Sequence, residues 1–241
     1  MERSAISDWR SKRVAVVTGG NKGIGLEVCR QLAGNGVAVV LTARDKARGE
    51  AAVEKLRGDG LSSVIFHQLE VTDARSVARL ADFLKAHVGK LDFAGMDEGQ
   101  MSERMQRNTR ETYNSAKETL ETNYYGTKHV TQALLLLLHS STDGRIVNVS
   151  SVIGQLRYFV SEELKQELND VGKLSKQRLD EMVAAFMEDF TAGTVGARGW
   201  PVGFSAYKVA KAAVNAYTRV LARRHPELRV NCVHPGFVKP T

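Results

Sequence analysis

The N-terminal part of the chain alternates between short, β-branched apolar runs and amphipathic segments with helical spacing. The apolar runs predict buried strands at residues 13–18, 37–42 and 63–69. The amphipathic segments predict helices at residues 24–33, 45–56 and 74–88, each followed closely by a glycine. Alternation of this kind predicts a parallel sheet covered by helices on both faces.

The pattern weakens after Asp92. Residues 93–100 form a short, acidic segment that contains glycine, so we expect no buried strand where the alternation predicts one. Helical spacing then covers residues 101–138, and further elements are predicted as a strand at 145–149, a helix at 204–224 and a strand at 228–233. We therefore predict an α/β, Rossmann-type, doubly wound parallel sheet in three α/β/α layers that lacks one central strand.

The length of the chain favours one domain over residues 1–241. Within it, residues 161–190 form a charged, amphipathic stretch. Two interpretations fit this stretch: a helix pair on the surface, or a lid over a binding site. We place the helical insertion at about residues 158–200.

The formal net charge is +7, but the basic residues are scattered among acids and form no basic arm. This distribution favours a solvated surface over a nucleic-acid or other polyanion partner, which stays open as the minor alternative. The histidines lack the sequence spacing of metal ligands, so we expect no metal. Cys29 and Cys232 are expected to be buried thiols in a reducing compartment. No signal sequence or membrane span is evident, and we expect a cytoplasmic protein.

A glycine-rich loop, T-G-G-N-K-G-I-G at 18–25, separates the first strand from the first helix. Gly19 permits a tight turn, Gly23 lets the backbone approach a pyrophosphate, and Gly25 permits close packing of helix and sheet. The helix N-terminus then offers free N–H groups to phosphates. A plain turn is the alternative for such a loop taken alone.

The second strand ends in Ala43-Arg44, where an NAD-selective protein would place an acid. Arg44 and Lys22 together suit a ribose 2′-phosphate, so we expect NADPH or NADP+ as the cofactor. The alternative is that Arg44 is an ordinary solvated charge at the start of a helix.

Tyr207 and Lys211 stand four residues apart and share one face of a predicted helix. A free tyrosine titrates near ~10, and a neighbouring ammonium favours the phenolate, so Tyr207 can exchange a proton with a substrate oxygen near neutral pH. A serine pair, Ser150-Ser151, follows a predicted strand, at the edge where parallel sheets bind ligands. A hydroxyl there can donate to a developing alkoxide, although a serine in a strand-end turn is equally ordinary.

In order and spacing, these motifs resemble the short-chain dehydrogenase/reductase family. More narrowly, the chain resembles the plant carbonyl reductases that include salutaridine reductase and neomenthol dehydrogenase. The narrow resemblance rests on the loop at 18–25 and on VVLTARD at 39–45, TNYYGTKHV at 122–130, RIVNVSS at 145–151, GWP at 199–201, FSAYKVAKAA at 204–213 and RVNCVHPG at 229–236.

The resemblance implies roles for individual residues. Tyr207 would be the general acid/base, Lys211 would bind the nicotinamide ribose, Ser151 would hold the substrate oxygen, and Asn123 would hold a water of the proton relay. The implied cofactor-binding residues are Gly19, Asn21, Lys22, Gly23, Ile24, Gly25, Arg44, Glu70, Val71, Lys211, Pro235, Gly236 and Val238. The long interval from Ser151 to Tyr207 resembles the monomeric carbonyl reductases, in which inserted helices cover the oligomerisation face.

The chain departs from the family pattern at three points. After Leu91-Asp92 the strand that ends in N-N-A-G is missing, Glu70 replaces an aspartate, and the chain stops at Thr241 without the family's further helix and edge strand. The resemblance implies an oxidoreductase, a carbonyl reductase that uses NADPH to reduce a small lipophilic ketone or aldehyde. The alternative is a catalytically impaired nucleotide-binding relative or a spliced or truncated product.

Overall fold

Six parallel strands form the centre of the protein in a computed structural model that describes residue 6, residues 8–96 and residues 111–236. Their order across the sheet is β3-β2-β1-β4-β5-β6, the doubly wound arrangement that the alternation predicts. The strands are β1 (Val14–Val17), β2 (Ala38–Ala43), β3 (Val64–Gln68), β4 (Phe93–Met96), β5 (Arg145–Val149) and β6 (Arg229–Val233).

Helices connect the strands and cover the sheet. They are α1 (Gly23–Gly34), α2 (Lys46–Gly58), α3 (Ala74–His87), α4 (Tyr113–Leu120), α5 (Thr127–His139), α6 (Glu162–Asn169), α7 (Lys176–Thr191) and α8 (Ser205–Arg224). One π-helical turn (Glu121–Gly126) joins α4 to α5, and 3-10 turns lie at Trp9–Ser11, Val152–Gly154 and Leu156–Tyr158. The part of the helix predicted from residue 101 to 110 lies outside the described residues.

Strand β4 corrects the prediction that a central strand is missing. It lies between β1 and β5, with Ala94 aligned to Val16 on one side and to Ile146 on the other. Ala94 and Met96 are buried. Without β4, the facing edges of β1 and β5 would carry unpaired backbone groups inside the core, at about 1–3 kcal/mol each. This free-energy cost is larger than the cost of placing a short, glycine-containing segment in a strand. The neighbouring strands therefore override the weak strand propensity of residues 93–96.

The core lies on both faces of the sheet because successive strand residues point to opposite sides. Val14 and Val16 of β1 pack in a cluster with α3 and α5, whereas Ala15 and Val17 pack with α1 and α2. A third cluster joins α4, α6, α7 and α8. The three layers of the predicted fold are therefore present.

Strand β6 lies at one edge of the sheet, and its residues alternate between exposed and half-buried. The sequence also predicted that the C-terminal edge strand of the family is missing. That prediction falls on positions after Gly236, which lie outside the described residues. Cys29 is buried, as predicted, whereas Cys232 on β6 is only half-buried; both thiols are free. No helix among the described residues is long and apolar enough to cross a membrane.

Candidate active site

The loop between β1 and α1 needs glycine at specific positions. Gly19 and Gly23 have φ values of 61° and 55°, in the left-handed region that disfavours other residues. A Cβ on Gly25 would lie 2.5 Å from the carbonyl oxygen of Gly19, so only glycine lets the helix start pack against the turn. Lys22, the N-cap of α1, gives no side-chain cap, which leaves the first N–H groups of α1 facing the loop without that partner.

Lys22 and Arg44, the two cations expected to bind the ribose phosphate, follow the ends of the neighbouring strands β1 and β2, which a backbone hydrogen bond joins. The Gly20 N–H donates to the Thr42 carbonyl at 2.9 Å, and Lys22 and Arg44 each follow two residues later. Both side chains are exposed, and neither forms an ion pair within the described ranges. By contrast, the nearby Arg48 pairs with Asp45 at 3.7 Å. Lys22 and Arg44 can therefore receive an anionic group at this edge of the sheet.

Tyr207 and Lys211 lie one turn apart on α8, and only 4% and 1% of their surfaces are exposed. The Lys211 ammonium lies 5.6 Å from the centre of the Tyr207 ring. It also donates to the carbonyl oxygen of Val149, the last residue of β5, at 3.0 Å. This bond ties the Tyr–Lys pair to the strand that carries the serines.

The two serines after β5 have different surroundings. Ser150 is buried, its N–H donates to Val233 at 2.7 Å, and its hydroxyl lies 3.5 Å from the Lys211 carbonyl. Ser151 is half-buried, and its Oγ accepts from the Ile153 N–H at 3.4 Å. Because Ser151 accepts in that contact, its own proton stays available for a substrate oxygen. The two serine hydroxyls therefore differ: that of Ser150 is buried against α8, whereas that of Ser151 is half-buried in the turn after β5.

Asn123 lies in the π-helical turn and is 7% exposed. Its side-chain nitrogen Nδ2 donates to the Thr119 carbonyl at 3.0 Å, and its backbone carbonyl accepts from the Thr127 hydroxyl at 2.8 Å. Its side-chain oxygen Oδ1 is buried and has no hydrogen-bond partner among the described protein atoms. A buried, unpaired oxygen in a π-helical turn fits a bound water, and such turns occur often at functional sites.

The other predicted cofactor residues make only local contacts or are exposed. The Glu70 carboxylate accepts from the backbone and hydroxyl of Thr72, at 3.3 and 2.9 Å, within its own loop. Val71 is buried and packs against Gly126 of the π-helical turn. Pro235 and Gly236 are exposed just after β6, and Val238 lies outside the described residues.

Sequence reasoning missed Glu111. Its carboxylate accepts from the N–H and hydroxyl of Ser205, both at 2.6 Å, and from the N–H of Ala206 at 3.0 Å. The residue before α8, Phe204, has a left-handed φ of 52° and no capping oxygen. Glu111 therefore caps, from a distant part of the chain, the helix that bears Tyr207 and Lys211. Only the lack of a capping residue before Ser205 could have suggested such a partner.

Sequence reasoning also missed Gly154, in the turn after Ser151. A Cβ on Gly154 would lie 2.6 Å from the Lys211 Cβ and 2.9 Å from the Lys211 carbonyl carbon. The Gly154 carbonyl also accepts from the side-chain amide of Asn215 at 3.1 Å. Glycine here thus sets how closely the serine turn approaches α8.

The helical insertion packs on α4 and α8 through apolar side chains of α6 and α7. A polar contact adds to this packing: Asp180 of α7 accepts from the Tyr124 hydroxyl at 2.8 Å and pairs with Lys128 at 2.5 Å. Burial, with the Asp180 charge beside it, raises the pKa of Tyr124 well above its usual range. Tyr124 therefore stays a neutral hydrogen-bond donor beside Asn123.

Comparison with known proteins gives concordant matches. The family model described as short chain dehydrogenase matches residues 13–162. Short-chain dehydrogenase/reductase 1 of Saponaria officinalis is 46% identical over 255 residues, covering 98% of this chain and 84% of that protein. Carbonyl reductase [NADPH] 1 of Pongo abelii is 38% identical, with 94% and 82% covered. The solved structure of salutaridine reductase from Papaver somniferum aligns with a TM-score of 0.87 and 42% identity, over 95% of this chain and 88% of that one.

Proposed function

This chain belongs to the short-chain dehydrogenase family, and on that premise we propose that it uses NADPH to reduce a small lipophilic ketone or aldehyde to the alcohol. The observation that carries the proposal is the Lys211 ammonium, held between the Tyr207 ring and the end of the serine-bearing strand. Relatives named salutaridine reductase and carbonyl reductase support the reaction class.

The residues present fit a dinucleotide. The glycine loop admits close approach of a diphosphate, and the N-terminus of α1 offers it N–H groups and a partial positive charge. Lys22 and Arg44 suit a 2′-phosphate, with Arg44 bonding in bidentate fashion. The relative from Pongo abelii carries NADPH in its name, which supports the same cofactor here. When bound, the dinucleotide supplies the hydride.

The chain's own groups manage the oxygen of the substrate. Ser151 donates a hydrogen bond from its hydroxyl to that oxygen, keeps its own proton, and stabilises the negative charge that develops there. Tyr207 then gives a proton to the same oxygen and completes the alcohol. Lys211 supports Tyr207 with its charge, and Asn123 holds a water at Oδ1 through which the proton of Tyr207 is replaced.

The insertion supports two further proposals. Its apolar face covers the outer surfaces of α4 and α8, which are then withdrawn from contact with another subunit, so we expect a monomer. We also propose that residues 158–200 border the substrate site as a lid, because they directly follow the serine turn and end just before α8. The scaffold is one cytoplasmic domain in this proposal.

The catalytic proposal is tested with Tyr207→Phe. We expect kcat to fall about 10²–10⁴-fold, because the ring is retained and only the proton donor is lost. NADPH binding, followed by fluorescence, should be retained. The matched control is Tyr113→Phe on α4, whose side chain is half exposed; it should react like the unmodified protein.

A panel of ketones and aldehydes with the unmodified chain separates the alternatives. Turnover with NADPH supports the reductase, whereas NADPH binding without turnover supports the catalytically impaired relative. The presence of β4 removes one argument for impairment, since the central ladder of the sheet is complete. Equal loss of activity in the two tyrosine variants would contradict the role given to Tyr207.

A further inference from the structure

Two histidines and a glutamate meet at the far end of α8 from Tyr207. His139 is the last residue of α5, His225 is the C-cap of α8, and Glu227 stands in the turn before β6. His139 Nε2 and His225 Nδ1 lie 3.2 Å apart. Glu227 Oε1 lies 2.9 Å from His139 Nδ1 and 3.9 Å from His225 Nδ1. His225 and Glu227 are two residues apart, whereas His139 comes from a distant part of the sequence, and the three have no role in the proposed reaction.

The spacing fits the coordination of a transition metal. In a tetrahedral zinc site with bonds of about 2.0–2.1 Å, neighbouring ligand atoms are roughly 3.4 Å apart. The two imidazole nitrogens already stand near that separation, and one ligand atom from each of the three residues lies within 4.8 Å of the others. Glu227 Oε1 contacts the other ring nitrogen of His139, Nδ1, so a metal between His139 Nε2 and His225 Nδ1 requires the Glu227 side chain, which is 54% exposed, to turn towards it.

We propose that His139, His225 and Glu227 form a binding site for a divalent transition-metal ion of the zinc type. The two histidines supply nitrogens, Glu227 supplies a carboxylate oxygen, and water completes the coordination. Two imidazoles and one carboxylate favour zinc, nickel or copper ions over magnesium or calcium, which prefer all-oxygen sites.

The electrostatics of the site favour a cation, with one opposing influence. Helices α5 and α8 both end here, and helix C-termini carry partial negative charge. The Glu227 carboxylate adds a full negative charge. Lys176 and Arg224 also face His225, and their positive charges oppose metal binding. We therefore expect affinity weaker than that of a fully enclosed structural zinc site.

The position of the site separates it from catalysis. Helix α8 has 20 residues, so its two ends are about 30 Å apart. A metal at His225 cannot touch the substrate near Tyr207. It would instead join the end of α5 to the end of α8, and so stabilise the folded state by an amount that rises with the logarithm of the free metal concentration above Kd.

The test uses the chain without an affinity tag, freed of metal with a chelator and titrated with zinc chloride in a calorimeter. We expect one zinc ion per chain and a rise in Tm with zinc, whereas magnesium chloride gives neither. His139→Gln and His225→Gln should each abolish stoichiometric binding, and Glu227→Gln should weaken it by about tenfold.

The matched control is His87→Gln, because His87 is also an exposed histidine at the end of a helix. It should bind zinc like the unmodified chain. The proposal fails if the unmodified chain binds no zinc, or if zinc binding persists in both His139→Gln and His225→Gln. Circular dichroism of each variant shows that it is folded. Ketone reduction is assayed separately, so failure of the proposed function leaves this outcome interpretable.

Discussion

At the scale of single residues, charge is placed where backbone donors would otherwise lack partners. Glu111 is the clearest case, since one carboxylate accepts three hydrogen bonds at the start of α8. Tyr207 is the third residue of that helix, so the cap fixes the backbone directly before the proposed proton donor. We propose that Glu111 acts on the reaction through the helix, as a positioning residue.

Glu111→Gln tests this role. The amide keeps the size of the side chain but loses the charge and one acceptor, so we expect a stability loss of about 0.5–2 kcal/mol, measured by urea unfolding. Well below Tm, kcat should fall about tenfold while KM for the ketone changes little. The control is Glu118→Gln, an exposed glutamate on α4 with no ion pair in the described ranges. An unchanged kcat in Glu111→Gln would limit Glu111 to stability.

Arg44 decides cofactor choice in the proposed function. Arg44→Ala should raise KM for NADPH about tenfold or more, because a charge-assisted contact worth about 1.5–3 kcal/mol is lost. The kinetic constants for NADH should stay nearly the same, since NADH has no 2′-phosphate. Arg48→Ala, four residues away and already paired with Asp45, serves as the control. Equal effects on NADPH and NADH would exclude a 2′-phosphate contact.

At the scale of elements, the site depends on how closely three segments approach: the end of β5, the serine turn and α8. The Lys211 ammonium bonds the Val149 carbonyl, and Gly154 lies against the backbone of Lys211. The π-helical turn that holds Asn123 is a further local feature of the site, because it departs from the regular hydrogen bonding of an α-helix. The contact at Gly154 leaves no room for a Cβ, so a small increase in side-chain volume there is expected to move the serine turn.

Gly154→Ala probes the approach of the serine turn to α8. The new methyl would meet the Lys211 backbone, so we expect a stability loss of about 1–3 kcal/mol from overpacking. The serine turn should also shift away from Tyr207 and lower kcat. Gly34→Ala is the control, since a Cβ there meets nothing within 4 Å. Chemical unfolding and ketone kinetics measure both effects, and wild-type values for Gly154→Ala would contradict the tight approach.

At the scale of the whole molecule, the helical insertion is joined to the catalytic part by one polar cluster and a broad apolar face. Asp180 reaches from α7 to Tyr124, which lies in the same turn as Asn123, and to Lys128 in the first turn of α5. The apolar face includes Phe186 and Trp200, whose rings meet edge to face at 5.5 Å. The insertion thus supports the site from outside as well as covering α4 and α8.

Asp180→Asn should separate these contributions. It leaves the charge of Lys128 without its partner, and we expect a stability loss of about 1–3 kcal/mol. Because the Asn123 turn loses its outer support, kcat should fall while NADPH binding is kept. Asp170→Asn, on an exposed turn of the insertion, is the control. Gel filtration of both variants tests the proposed monomer, and unchanged kcat in Asp180→Asn would place the cluster outside the proposed proton relay.

The sequence by itself determined the parts that depend on local order. Periods of two and 3.6 residues, with glycine stops, predicted β1, β2, β3, β5, β6 and most helices to within a few residues, because burial of one face requires that spacing. The glycine loop and the four-residue interval from Tyr207 to Lys211 could also be found in the sequence, because each motif consists of residues close together in the chain.

Tertiary structure alone decided what depends on distant partners. Strand β4 was predicted to be missing, yet residues 93–96 form it by pairing with β1 on one side and β5 on the other. The cap of Glu111 on α8 and the cluster of His139 with His225 and Glu227 join residues that no sequence spacing relates. Hydrogen bonds and metal coordination act through distance in space, and only the folded chain sets that distance.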